Sequence, residues 1–277
     1  MRAAPQTQSN GWRVFLFKSI LAVCLFLGQA QLANACMFAP WQRDDVADGS
    51  VVETKRPIPV ISWYSNLTGA YAHGVLGDAL EPTRLHVWTE RTSAHCGNSI
   101  EAGAGHVFED IAPRIVNLDR NGHPEIIAIR SHMDKGAQLA IYRDNRQGLK
   151  LIAATPYIGQ ANRWLAPVGA ADLDGDGRVE IAYVDRPHLA KRLRIWRFKA
   201  GKLRHVRDVE GLTNHKIGWD FIVGGIRDCG QGPEIITADA SWRRIVATTF
   251  ADGRARSRDL RAYDGPKSFD PVMGCRQ

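Results

Sequence analysis

Three aspartates occupy alternate positions in Asp172-Leu-Asp174-Gly-Asp176, and Glu180 follows four residues later. Carboxylates at that spacing in a tight loop can all turn inward. Calcium takes six to eight oxygen ligands at about 2.3–2.6 Å, and such a loop can supply them. Gly175 and Gly177 provide the backbone freedom that the bend requires. The carbonyl of Arg178 is placed to add a main-chain oxygen, and Glu180 to close the site with both of its oxygens. Without a cation so many neighbouring carboxylates would repel one another. The pattern reads as a calcium loop with ligands from Asp172, Asp174, Asp176, Arg178 and Glu180. An EF-hand opens in the same way but needs Glu at its twelfth position. Counted from Asp172 that position is Tyr183, so the EF-hand is excluded.

The loop belongs to a repeat. Ile115–Ile129 (IVNLDRNGHPEIIAI), Gly169–Val184 (GAADLDGDGRVEIAYV) and Gly224–Ala238 (GGIRDCGQGPEIITA) share an apolar or small entry, a glycine-containing turn and a glutamate leading into an apolar run. The glutamates are Glu125, Glu180 and Glu234, spaced by 55 and 54 residues. The first copy keeps Asn117, Asp119, Asn121 and Glu125 in register. Two of its carboxylates are replaced by asparagine, so it is expected to hold calcium more weakly. The third has Ile226 and Gly230 at ligand positions and is expected to hold none. A fourth, degenerate copy is read at His73–Glu90, with Gly77 and Asp78 as the remnant of its loop.

Positioning such loops requires strands on either side. After each glutamate come β-branched and aromatic runs such as QLAIYR, LRIWRF and RIVATTF, broken by glycine-, asparagine- or aspartate-containing turns. Each unit of about 54 residues reads as four short strands, which is one propeller blade. A lone four-stranded sheet has two faces to cover, and radial stacking covers both. The expected fold is all-β, a small propeller of four to five four-stranded blades.

At the Asp-Leu-Asp-Gly-Asp-Gly-Arg-Val-Glu stretch followed by IAYV, the chain resembles the FG-GAP/VCBS repeat family, which includes the integrin α N-terminal propeller and many secreted bacterial proteins. The resemblance spans roughly residues 70–265 and is most specific at 172–180. It implies a β-propeller with calcium loops between the first two strands of a blade. Residues 70–277 are assigned to the propeller, and 36–69 to an N-terminal arm or partial blade.

Residues 1–35 read as a signal peptide. Arg2, Arg13 and Lys18 form a basic n-region, Ile20–Leu27 a short apolar core, and Ala33-Asn34-Ala35 a cleavage site before Cys36. The apolar run is too short to span a bilayer. A periplasmic or secreted location follows, with a lipid anchor on Cys36 as a further option because a cysteine stands directly after the cleavage site. Of the five cysteines, Cys24 lies in the signal. The other four fit two disulfides in an oxidising compartment. Cys229–Cys275 and Cys36–Cys96 are the favoured pairs among three connectivities, the alternative being one bridge plus free thiols.

The formal net charge of +7 is mild for 277 residues and its basic residues are spread along the sequence, unlike the stripe of a nucleic-acid binder. No His-Glu-x-x-His, nucleophile elbow, phosphate loop or dinucleotide fingerprint is present. An aromatic residue precedes each repeat at Phe108, Trp164 and Trp219, with polar neighbours that include Arg163 and His215. Trp164, Trp219, Arg163 and His215 are candidates for a ligand-binding face suited to a sugar or an acidic ligand; recurrence in every unit also fits packing between blades. His132 and His188 occupy similar places after the second strand of their units. The expected function is a calcium-stabilised, non-enzymatic binding or scaffold module of the cell envelope, with a glycan or protein ligand. The alternative is a polysaccharide lyase or hydrolase on the same scaffold.

Overall fold

The computed structural model describes residues 40–55, 57–90, 97–145 and 147–276. The signal segment and the Cys36–Cys96 pair lie outside the described residues. Of the described residues, 40–43 fall outside the main unit, and Pro40–Gln42 is a short 3-10 turn. All strands belong to the second unit, Asp44–Gln277.

Four antiparallel sheets follow one another along the chain. The first contains β1 (Val52–Thr54), β2 (Val60–Thr68), β3 (Glu81–Thr89) and β4 (Asn98–Glu101). The second contains β5 (His106–Phe108), β6 (Arg114–Val116), β7 (Glu125–His132), β8 (Gly136–Asn145) and β9 (Gly148–Ala154). The third contains β10 (Leu165–Ala171), β11 (Glu180–Asp185), β12 (Arg192–Lys199) and β13 (Lys202–Glu210). The fourth contains β14 (Leu212–Thr213), β15 (Gly225–Asp228), β16 (Pro233–Asp239), β17 (Arg244–Ala251) and β18 (Arg254–Ala262). In the second and fourth sheets the first strand is split. β5 and β6 both pair with β7, and β14 and β15 both pair with β16.

The continuous apolar runs after each repeat glutamate now have a reason. A strand buried on both faces needs apolar side chains at every position, not at alternate ones. In β7, Ile126 and Ala128 pack against the first sheet, while Ile127 and Ile129 pack against the third. In β11, Ile181 and Tyr183 face the second sheet, and Ala182 joins a cluster with Ile235 and Phe250 of the fourth. Truncating any one of these buried isoleucines to alanine costs about 2–5 kcal/mol. The outer strand β13 is covered less and reads more polar, as in KLRHVRDVE.

The stack ends differently from how it is built. The far face of the fourth sheet, with Ile236, Ala238, Ile245 and Ala247, packs against Phe269 and Val272. These come from α1 (Phe269–Met273), a single short helix. The disulfide Cys229–Cys275, with Cα atoms 5.6 Å apart, ties the end of this cap to the β15–β16 turn. Gly224, in the left-handed region at φ 82°, leads into β15, where any Cβ would collide with the carbonyl of Ile236.

One sequence assignment changes. His73–Glu90 is not a copy of the loop-bearing first strand pair; it is the β2–β3 connection followed by β3. Its glycine and aspartate therefore resemble the repeat by turn composition alone. β2 pairs with β3 across residues 69/70, so both strands lie in one sheet. Residues 52–68 are the first half of a blade.

Candidate functional site

The loop between β10 and β11 is anchored by its own apolar residues. Leu173 is buried between the third and fourth sheets, and Val179 between the second and third. With these two turned inward, Asp172, Asp174 and Asp176 are left on the outside of the bend. Their carboxylate oxygens lie within 4.8 Å of one another, a grouping able to hold a metal ion. Gly175 and Gly177 take left-handed backbone angles, φ 74° and 86°. One oxygen, Asp172 Oδ1, is buried and accepts no hydrogen bond from the described residues. An unsatisfied buried acceptor carries a free-energy cost that a cation would remove. The donor set is all oxygen, which suits a hard cation. On these grounds the residues present fit calcium.

Glu180 stands apart from the three aspartates. Its side chain is fully buried, with one oxygen accepting the Leu173 N–H at 3.0 Å and the other accepting Arg197 Nε at 2.5 Å. Burial raises its pKa, opposed by the hydrogen bonds from Arg197 and Leu173. Both oxygens thus make hydrogen bonds within the chain and lock the loop, and Glu180 lies outside the Asp172, Asp174, Asp176 grouping. The repulsion among the aspartates is also offset from within the chain. The Arg197 guanidinium reaches Asp174 at 2.6 Å and Asp176 at 3.1 Å, and Arg120 reaches Asp172 at 2.9 Å.

The β6–β7 loop repeats the lock without the cluster. Glu125 accepts Leu118 N–H at 2.9 Å and Arg143 Nε at 2.9 Å. Asp119 is taken by Arg143 at 2.7 Å and by Asn121 Nδ2 at 3.0 Å. Asn117 Oδ1, at the position of Asp172, is likewise buried and without a partner among the described residues. In the fourth sheet Glu234 is held by Arg227 at 2.8 Å and by Arg258, and Asp228 caps the turn through Gly230 and Gly232 N–H.

The proposed ligand-binding face does not stand open. Phe108 and Trp164 are buried between sheets, and Trp164 donates its indole N–H to the Glu109 carbonyl at 2.8 Å. His215 is fully buried. Trp219 is half-buried, stacks on Phe221, and with Trp242 and Tyr263 surrounds Lys216, whose Nζ lies 4.8–5.5 Å from the three rings. That cage is filled by the chain's own cation. Phe108 and Trp164 thus pack between sheets, and Trp219 packs against neighbouring rings. His132 and His188 sit in separate clusters, the first with His106 and Tyr157, the second with His215 and Trp164. Asp185 is buried between Arg186 and Arg194, an architectural role.

Trp164 and Arg163 nonetheless meet at a pocket of about 220 Å³. It forms where loops of the first, third and fourth sheets converge with the β9–β10 connection. Behind it lies a buried polar cluster absent from the sequence reading. His73 Nδ1 and Ser131 Oγ both bond to the buried Glu109 carboxylate. Asp110 accepts from Tyr64, Arg114 and the Ile129 N–H. Glu81 is buried nearby, its pKa pushed up to about 9 by burial first and then by Glu109, Asp78 and Asp110. The signal that could have revealed this cluster is Glu109-Asp110 breaking an apolar run, at the gap between β5 and β6.

Residues 117–183 match the FG-GAP-like repeat family. No curated protein sequence gives a significant match. Among solved structures, a GH43 β-xylosidase/α-arabinofuranosidase from a compost microbial metagenome is 14% identical, with 81% of this chain and 80% of that one covered and a TM-score of 0.42. A GH43_1 enzyme from Xanthomonas citri is 13% identical over 83% of this chain and 78% of its own, with a TM-score of 0.41. An exotype rhamnogalacturonan lyase is 13% identical over 76% of this chain and 50% of its own, with a TM-score of 0.37. Among the described residues no helix is long and apolar enough to cross a membrane. The chain carries an FG-GAP-like repeat at residues 117–183, within a β-propeller built from four stacked antiparallel sheets.

Proposed function

We propose that this protein is an exported, calcium-stabilised propeller that acts as a non-enzymatic binding module of the cell envelope, with a glycan or an envelope protein as ligand. The observation that carries the calcium part is the Asp172, Asp174, Asp176 cluster with its unpartnered, buried Asp172 Oδ1. Calcium bound there would neutralise the cluster and stiffen the β10–β11 turn, with the Arg178 carbonyl as a main-chain ligand. Export is supported by the Cys229–Cys275 disulfide, since such bonds persist in oxidising compartments. The candidate place for the ligand is the 220 Å³ pocket, lined by imidazole, guanidinium, carboxamide, indole and aliphatic carbon.

The test is thermal unfolding of the mature protein with calcium and with chelator, on wild type and Asp174→Ala. At 100 times its dissociation constant, calcium should add about 2.7 kcal/mol to the wild type alone. Equal midpoints with and without calcium would overturn the calcium assignment. Release of reducing or unsaturated ends from an envelope polysaccharide would replace the binding module with an enzyme.

A further inference from the structure

The 220 Å³ pocket has a chemistry more specific than general adhesion. Its histidines have assignable protons. His215 Nε2 faces the Trp219 carbonyl at 2.8 Å and must donate to it. His215 Nδ1 therefore carries a lone pair, and His188 Nε2 at 2.9 Å donates to that. This leaves His188 Nδ1 as a bare acceptor. Burial, then His215 and His73, lower the His188 pKa to about 4, so the ring is neutral at physiological pH. His73 commits Nδ1 to Glu109, which orients its ring and leaves Nε2 uncommitted.

Charge is distributed unevenly around these rings. Arg186, also at the pocket, is neutralised by Asp185 through contacts of 2.8 and 3.0 Å. Arg163 donates only to the neighbouring Asn162 carbonyl at 2.9 Å and forms no ion pair with any described residue. A guanidinium without a carboxylate beside a concave site suits an anionic group in planar, bidentate contact. Beside it, Leu189 and Ile217 are 64% and 72% exposed, the two most exposed large hydrophobic side chains among the described residues. Both line this pocket. Apolar side chains left in water beside a polar pocket are a signature of ligand sites.

We propose that the pocket binds a carboxylate-bearing sugar ring, a uronate. Its carboxylate lies on Arg163, ring hydroxyls bond to His188 Nδ1 and His73 Nε2, and the C–H face of the ring packs on Leu189 and Ile217. The ligand is either a free uronic acid or the terminal residue of an acidic polysaccharide. This inference rests on the binding-module reading and names its ligand.

The experiment is calorimetric titration of the mature, calcium-loaded protein with glucuronate, galacturonate, the matching neutral hexoses, and oligogalacturonate. A uronate should bind at least about tenfold more tightly than its hexose. Arg163→Ala should remove that preference, and His73→Gln should weaken binding of both classes, with unfolding midpoints unchanged for Arg163→Ala. Tighter binding of the oligomer than of the monomer assigns the polysaccharide end as the source; equal binding assigns the free acid. Equal affinity for uronate and hexose, or no binding of either, overturns the inference. Retention of wild type and Arg163→Ala alike on purified peptidoglycan or lipopolysaccharide would overturn it too, while leaving the binding module standing.

Discussion

The β6–β7 and β10–β11 loops share a frame and differ in content. In each, a buried glutamate turns one oxygen back to the N–H of the loop's second residue, Leu118 or Leu173, and gives the other to an arginine on the third strand of its blade. Arg143 and Arg197 occupy corresponding places, and each also reaches an aspartate in its loop. Only the second loop gathers three carboxylates. The difference separates two roles that the repeat motif merges. Glutamate and arginine hold the turn in shape, whereas the three aspartates add a site for a cation. The arginine also makes the second loop stable without an ion, so an ion must displace or share the Arg197 contacts to bind.

The largest effect should come from the shared lock. Glu180→Ala leaves Arg197 Nε and the buried Leu173 N–H without their acceptor, although the guanidinium keeps Asp174 and Asp176, and the two lost bonds should cost about 3–5 kcal/mol together in urea unfolding. Glu125→Ala should cost about the same, and a much smaller loss there would break the equivalence of the two loops. Calcium should separate them. The gain of about 2.7 kcal/mol at 100 times the dissociation constant should survive Asp119→Ala in full. Loss of that gain in Asp119→Ala would show that the first loop holds the ion instead.

A third buried glutamate sharpens the contrast. Glu81 forms no ion pair with a described residue, and its pKa is pushed up to about 9. Folded protein then keeps a proton that unfolded chain has lost between about pH 4.5 and 9. Stability should fall as pH rises through that window, by about 1.4 kcal/mol per unit at most, and level off above it. Glu81→Gln should remove that slope, which a pH series of unfolding midpoints would read; an unchanged slope would place the proton elsewhere. The smallest effect concerns competition. Arg197→Met should lower stability in chelator yet tighten calcium binding by about tenfold, since a cation is removed from the cluster. Arg143→Met should leave calcium affinity unchanged.

Much of this was legible in the chain. The 54- and 55-residue spacing of Glu125, Glu180 and Glu234 set the blades, because each glutamate stands within the first two residues of the corresponding strand, β7, β11 or β16, and a repeated local pattern gives a repeated local structure. The Cys229–Cys275 pair followed from the need to fasten the tail. The first sheet was poorly legible. It lacks the loop motif, and β2 and β3 are joined by a long connection whose Gly77 and Asp78 imitate the repeat. The surroundings of Trp164, Trp219 and His215 were not legible for another reason. Periodicity reveals that residues are equivalent but not whether their common position faces water or a neighbouring sheet.

Sequence alone determined the strand pattern, the repeat and the aspartate cluster, since each depends on residues close together in the chain. Tertiary structure decided what those residues do. It paired Glu180 with Arg197, 17 residues away, and it covered the last sheet with α1. It also brought His73, Arg163, His188 and Ile217, from four separate segments, to one pocket. The physical reason is that burial and charge compensation are set by what packs from a distance, and no local pattern records which distant side chain arrives.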